Sequence, residues 1–329
     1  MLRIALKDVL ARKRRLVTTS IAIALGIAFL TGTQLLSTIL SDSIRTLVGD
    51  TYEGIDAVVR SPNTQKVGFG NEIRSPIPEN LEAKVRAVNG VADAAGIVEA
   101  VTAQLIGKDG KVVGSGFGPP TIVYNWVEDP KLRYGTLRSG RGPKQADEMV
   151  LDFGAAEDGG YVIGDTVTVA GQTSSSKFTL VGLTGLGAKG TSAGGAKQLQ
   201  FITPVAQVLG TIPGEFSYVV ASAEPGVSQQ ELTNAIAAAT PGQQVVTGDR
   251  FSTENQDNIS KFVDILRIFV SVFGVISIFV ACFIIYNTFS IIVAQRTRET
   301  ALLRAIGARR RQVLAATMAE ALLIGAVAS

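Results

Sequence analysis

In Asn287-Thr288-Phe289-Ser290-Ile291-Ile292-Val293-Ala294-Gln295-Arg296-Thr297-Arg298-Glu299-Thr300-Ala301-Leu302-Leu303-Arg304-Ala305-Ile306-Gly307-Ala308-Arg309-Arg310-Arg311, a long apolar segment gives way to a cluster of arginines. The apolar part belongs to a run, Ile268 to Gln295, of 28 residues without Lys, Arg, Asp or Glu. About 20 apolar residues cross the core of a bilayer, so this run can span with some tilt. The basic part is helix-prone. A short helix from Thr300 to Ile306 is expected, with Glu299 at its N-terminus, where the helix dipole favours an acid. Gly307 would end it, because glycine takes the left-handed cap geometry at low cost. A third apolar run follows from Gln312 to Ser329.

Upstream, Leu16 to Ser41 forms a second charge-free run of 26 residues. A buried core helix is the rival reading for both runs, but soluble helices are rarely this long and apolar on every face. A cleaved signal peptide is the other rival for the first run. A signal h-region is only roughly 7–15 residues, so an uncleaved anchor fits better. Charge then sets the orientation. Arg3, Lys7, Arg12, Lys13, Arg14 and Arg15 precede the first run, and Arg296, Arg298, Arg304, Arg309, Arg310 and Arg311 follow the second. Between the runs, residues 42–267 carry 19 basic and 25 acidic side chains. Basic residues beside short cytoplasmic segments fix topology. The N-terminus is therefore expected inside the plasma membrane and the middle of the chain outside it. The overall charge of +3 reflects these juxtamembrane clusters, and nothing in the chain resembles a nucleic-acid module.

The 329 residues have a mean hydropathy of +0.29 and are 46% hydrophobic, high for a soluble chain of this length. There is no His, and the single Cys, Cys282, lies within the second run. Histidine-based acid–base chemistry, His-ligated metals and Cys-ligated zinc are thereby excluded, and the external domain has no disulfide. A domain of about 220 residues buries enough core without one.

Residues 1–15 read as a cytoplasmic amphipathic helix, with Leu2, Leu6, Val9 and Leu10 at helical spacing and basic side chains placed for anionic headgroups. The first span, 16–41, leads through a stalk into an extracytoplasmic domain that, with its stalks, covers 42–267. The second span is 268–295, and its stalk is expected to begin near Thr253. Within the domain, strands are expected at Ile55–Ser61, Val91–Ile106, Met149–Leu151, Val167–Ala170, Phe178–Val181, Phe216–Ala221 and Val245–Thr247. Helices are expected after Pro78, with Leu81, Val85 and Val88 facing inward, at 153–158, after Pro204, and from Ser228 to Ala239. For the last, Glu231 completes a capping box. Strands interleaved with single helices imply a mixed α+β domain of one or two subdomains.

Gly171 to Ser176 and Gly185 to Gly195 read as mobile loops. Neither is a phosphate loop, since the chain lacks G-x-x-x-x-G-K-[ST]. The adjacent acid pairs Glu128-Asp129, Asp147-Glu148 and Glu157-Asp158 are expected to be solvated turn charges, because neighbours on a strand face opposite ways and do not make an acid–base pair. Trp126, near Tyr124, is expected in the core. No catalytic constellation is evident.

The segment with R-T-R-E, a short helix and then R-x-x-G-A, at Arg296 to Ala308, resembles the cytoplasmic coupling segment of the FtsX/MacB-like ABC transporter permease family. The external pattern, Pro78 to Val91 and Leu137 to Gly182, also resembles the MacB-like periplasmic core domain. The resemblance implies a membrane protein with α-helical transmembrane spans and a large extracytoplasmic α+β domain. It implies a cytoplasmic coupling segment at 296–311, in which Arg298, Glu299, Thr300, Leu303, Arg304 and Gly307 meet a cytoplasmic ABC ATPase subunit. ATP would be bound by that partner, with no cofactor in this chain. The expected role is a non-catalytic permease subunit, working as a dimer or pseudo-dimer in contact with membrane lipid, for export or extraction of lipid, lipoprotein or peptide. The alternatives left open are an FtsX-like mechanotransmitter acting on a cell-wall hydrolase and a membrane-anchored sensor. The family's simplest members have four spans. Residues 312–329 are therefore read as the start of an incomplete third span in a truncated chain.

Overall fold

The computed structural model describes residues 54–67, 71–114, 120–186 and 196–295, and single positions 28, 31, 32, 35, 52, 301, 302, 305, 307, 309, 311, 314, 315 and 318. In chain order the elements are β1 (Ala57–Arg60), β2 (Thr64–Val67), β3 (Asn71–Arg74), β4 (Ile77–Pro78), α1 (Asn80–Arg86), β5 (Val91–Ile97), β6 (Glu99–Ala100) and β7 (Gln104–Ile106). There follow β8 (Thr121–Asn125), β9 (Thr136–Gly140), β10 (Glu148–Asp152), α2 (Phe153–Gly159), β11 (Thr166–Ala170), β12 (Ser175–Gly185), β13 (Lys197–Phe201) and α3 (Thr203–Leu209). The remainder is β14 (Glu215–Phe216), β15 (Tyr218–Ala223), α4 (Gln229–Ala239), β16 (Gln244–Thr247) and α5 (Gly248–Gln295). The chain divides into two compact units, residues 42–260 and residues 1–41 with 261–329.

In the first unit, β16, β1, β15 and β5 form an antiparallel sheet in that order. With α1 and α4, this is a split β-α-β-β-α-β arrangement. Period-two alternation explains why β1 is buried throughout although it reads Ala-Val-Val-Arg. Ala57 and Val59 join the core cluster that also holds Leu81 and Val85 of α1 and Leu232 and Ile236 of α4. Val58 packs in a separate cluster with Tyr124, Tyr218 and Phe251. Ser228 caps α4 by accepting from the Glu231 amide, and Glu231 reciprocates, so the expected capping box is present.

Between β5 and β15 an insertion builds a second sheet, ordered β6-β8-β13-β10-β12-β11-β7, with β9 also paired to β12, while β14 pairs with β4. Met149, Leu151, Val167, Leu180, Leu199 and Phe201 from this sheet join the same core cluster as α1 and α4. The two sheets therefore share one apolar interior. Gly142 lies against the indole of Trp126, where a Cβ would overlap the ring, and Trp126 is buried as expected.

Several expected elements shift. The single strand expected over Val91–Ile106 is three pieces. The Asn125 side chain takes the Val98 amide at 2.8 Å, and Thr102 donates to the Leu209 carbonyl at 2.6 Å, so this backbone leaves the ladder. Pro78 lies in β4, paired with Glu215, and the helix starts at Asn80. Gly171 to Ser174 is a tight turn, closed by the Gly171 amide on the Ser174 carbonyl at 2.9 Å, and β12 begins at Ser175. The stalk helix starts at Gly248 rather than near Thr253. Of the second glycine stretch, 187–195 lies outside the described residues.

Two of the acids expected to be solvated turn charges organise structure instead. Glu148 is 8% exposed. It accepts from the Arg141 guanidinium and from the amides of Lys144 and Gln145. These donors, Arg141 first, hold its carboxyl down at about 2. A depressed acid stabilises the fold above its unfolded value of 4.5 and loses that contribution as pH falls toward about 2. Glu148→Gln is expected to flatten the acid sensitivity of this lobe in that window. The emission of Trp126, the chain's one tryptophan, followed during acid titration, checks it. Asp158 pairs with Lys197, whose side chain is 6% exposed.

Within α5 the bounds enclose the whole charge-free run 268–295, although some of its side chains lie outside the described residues. Among the described residues no helix is long and apolar enough to cross a membrane. The expected helix over 1–15 lies outside the described residues. The first span does too, except for Ala28, Thr31, Gly32 and Leu35, which are helical.

Candidate functional site

The rings of Tyr52, shortly before β1, and Phe251, at the start of α5, meet edge to face with centroids 5.2 Å apart. The contact continues through both sheets. Phe251 packs on Tyr218 of β15 at 5.2 Å, Tyr52 on Tyr134 at 6.4 Å, and Tyr134 stacks on Tyr124 of β8 at 4.3 Å. Aromatic pairs of this kind contribute about 0.5–1.5 kcal/mol each beyond the area they bury. Five rings thus hold the two ends of the domain together at its root.

Sequence and topology place each member. Tyr218 and Val220 alternate to the sheet face opposite α1 and α4. Arg60 shares the face of Val58 by the same period. Its side chain, 6% exposed, bonds Glu254 of α5 at 2.6 Å. Its Nε donates to Gln244 Oε1 of β16 at 2.9 Å, and its guanidinium lies 5.9 Å from the centre of the Phe251 ring. One buried cation therefore ties β1 and β16 to the first turns of α5. Burial pulls the Glu254 carboxyl up, but hydrogen bonds from Arg60 and Arg250 outweigh it and leave it below the usual range. Gly248, where β16 passes into α5, donates to the Asp56 carbonyl at 2.9 Å. A Cβ there would overlap the Ile55 carbonyl.

Glu99 of β6 borders the ring cluster. Its Oε2 accepts from the Tyr218 hydroxyl at 2.9 Å. Burial raises the Tyr52, Tyr124, Tyr134 and Tyr218 hydroxyls above their ordinary value, so all four are neutral phenols.

Of the residues expected to meet a partner, Arg298, Glu299, Thr300, Leu303 and Arg304 lie outside the described residues. Around them Ala301, Leu302 and Ala305 are helical, and Leu302 is 68% exposed. Gly307 is exposed with φ +103°, on the side of the backbone map that favours glycine. Among the described residues no group of three or more His, Cys, Asp or Glu could hold a metal. Tyr52, Arg60, Glu99, Tyr134, Phe251 and Glu254 were not singled out by the sequence. The available hint was an arginine closing an otherwise apolar strand.

A family model described as the MacB-like periplasmic core domain matches residues 16–239, and one described as the FtsX-like permease C-terminal matches residues 271–329. An uncharacterized ABC transporter permease protein of Mycobacterium tuberculosis is 25% identical over 181 residues, 54% of this chain. The match spans 20% of that relative's length. Among solved structures, the periplasmic region of MacB from Actinobacillus actinomycetemcomitans aligns over 64% of this chain and 97% of its own, with 12% identity and a TM-score of 0.42. The extracellular domain of the noncanonic ABC-type transporter YknZ from Gram-positive bacteria aligns over 58% and 98%, with 12% identity and a TM-score of 0.39.

Proposed function

The chain belongs to the FtsX/MacB-like ABC transporter permease family, and from that premise we propose that it couples ATP hydrolysis by a separate cytoplasmic subunit to movement of its external domain. The family implies a membrane-embedded permease with an extracytoplasmic domain and a partner ATPase. In this reading the chain is non-catalytic and binds no cofactor, and its partner holds the ATP. The coupling segment 296–311 docks on the ATPase through Arg298, Glu299, Thr300, Leu303, Arg304 and Gly307. Residues 16–41 and 268–295 span the plasma membrane, with the N-terminus inside. The cargo is a lipid, lipoprotein or peptide, exported or extracted by a dimer or pseudo-dimer.

One observation carries this reading. Helix α5 starts at the sheet edge, where Phe251 and Glu254 are gripped by Tyr52, Tyr218 and Arg60, and its bounds extend to Gln295, directly before the coupling segment. A helix is stiff along its axis. A displacement of its cytoplasmic end therefore reaches the external sheet only if its other end is fixed there, and the root supplies that fixation. The match to the MacB-like core over 16–239 favours export or extraction over switching of a cell-wall hydrolase.

Glu299→Ala and Gly307→Val are expected to leave membrane abundance unchanged while lowering transporter-stimulated ATP hydrolysis about tenfold or more. Valine at φ +103° is strained. Co-purification of the protein with its ABC ATPase, followed by hydrolysis assays, checks this. Wild-type stimulation in both variants would remove the docking role.

A further inference from the structure

We propose that Glu82 and Arg86 of α1, with Asp93, guard the outer edge of β5 and keep the external domain from joining its sheet to that of a second copy of this chain.

Strand β5 ends its sheet. β15 pairs it on one side, and among the described residues no strand pairs it on the other. An unpaired edge offers its amides and carbonyls to any strand that can approach. In an antiparallel strand alternate residues turn these groups outward, and here they are Ala94 and Gly96. Each of their four groups is met by a side chain. The Ala94 amide donates to Asp93 Oδ1 at 2.8 Å, and the Ala94 carbonyl accepts from the Arg86 guanidinium. The Gly96 amide donates to Glu82 Oε2 at 3.1 Å, and the Gly96 carbonyl accepts from Asn125 Nδ2 at 2.8 Å. Side chains thus supply what a neighbouring strand would supply. Asn125 is buried at the end of β8, so its contact belongs to the second sheet. The other three side chains lie at the surface.

Helix geometry makes the guard fit. One turn from Glu82 to Arg86 rises about 6 Å. Two strand residues from Gly96 to Ala94 span about 6.8 Å. The two repeats nearly match, so successive turns of α1 reach successive outward groups of β5. Arg86 also bonds both acids, Glu82 at 2.9 Å and Asp93, which holds the three in place. The side chains of Arg86 and Glu82 are 51% and 31% exposed. With Ala83, Ala87 and Phe216 they line an open groove of about 540 Å³.

The edge itself suits a second copy. Val91-Ala92-Asp93-Ala94-Ala95-Gly96 carries small side chains that let another backbone come close. Antiparallel pairing of two copies about Ala94 sets Ala92 opposite Gly96 and Asp93 opposite Ala95, so no two acids face each other across the strands. Such a two-fold pairing uses the same edge twice and closes at two copies. The guard blocks it by occupying the groups that the pairing needs.

The test is the protein mass in detergent micelles, measured by light scattering over a concentration series. Glu82→Ala combined with Arg86→Ala keeps α1 helical, since alanine is the best helix former. This double variant is expected to reach about twice the wild-type mass. Adding Ala94→Pro removes an outward amide and leaves the β15 ladder intact, because proline is tolerated on an edge; the wild-type mass should return. Lys84→Ala, at an exposed position of the same helix, should keep the wild-type mass throughout. Trp126 emission reports folding. If the double variant loses the wild-type emission, Arg86→Gln alone is held to the same criteria. An unchanged mass in the folded variant, a doubled mass that survives Ala94→Pro, or doubling in Lys84→Ala would each overturn the proposal. Mass is read against the wild type and without ATP or ATPase, so the result is independent of the transporter reading.

Discussion

Gly248→Val is expected to lower the stability of the external unit by about 3 kcal/mol or more, among the larger effects of a single substitution. The residue joins β16 to α5, and a Cβ would overlap the Ile55 carbonyl, with the Asp56 backbone close behind. A clash with backbone has no rotamer to relieve it. Either the Gly248 amide gives up its 2.9 Å bond to Asp56, or β1 shifts and disturbs Val58 and Val59, which are wholly buried. For a domain of roughly 200 residues, 3 kcal/mol corresponds to a drop in Tm of roughly 6–12 °C. Thermal unfolding followed by Trp126 emission checks it, and an unchanged midpoint would mean that the junction is looser than described.

The second large effect is an asymmetry. Arg60 and Glu254 form one pair, but the arginine side chain is 6% exposed and the glutamate 33%. Removing a partner is costly in proportion to what is left behind. Glu254→Ala strands a buried guanidinium with only Gln244 and the Phe251 ring, and is expected to cost about 2–3 kcal/mol. Arg60→Met keeps the apolar stem and leaves a carboxylate that can turn to water and to Arg250, at an expected cost of about 1 kcal/mol or less. Denaturant unfolding of both variants tests the order. Equal costs, or a greater loss for Arg60→Met, would show that the pair is solvated rather than buried. Glu254→Ala should also release the start of α5 from the sheet.

The sequence made the local elements legible where one residue type dictates geometry. Ser228 and Glu231 form the capping box, and Gly307 lies at φ +103°. It was less informative where side chains compete with the ladder. Nothing in Val91–Ile106 announces that Asn125 will claim the Val98 amide from 27 residues away. The root was invisible for a related reason. Tyr52, Glu99, Tyr124, Tyr134, Tyr218 and Phe251 are dispersed along the chain, with no shared motif, and the topology of two nested sheets brings them together. The acids behaved similarly. Glu148 looks like half of a solvated turn pair until Arg141 and two amides converge on it. The proposed coupling segment, 296–311, rests on local sequence pattern, and most of it lies outside the described residues.

The central claim is that the cytoplasmic segment drives the root. Its most direct test is hydrogen exchange over residues 249–256 in nanodiscs containing the protein and its ABC ATPase, with and without ATP, in the wild type and in Gly307→Val. The account expects an ATP-dependent change at the root of the wild type and none in the variant, with both proteins equally abundant in the membrane. A root that ignores ATP in the wild type, or responds equally in Gly307→Val, would contradict it.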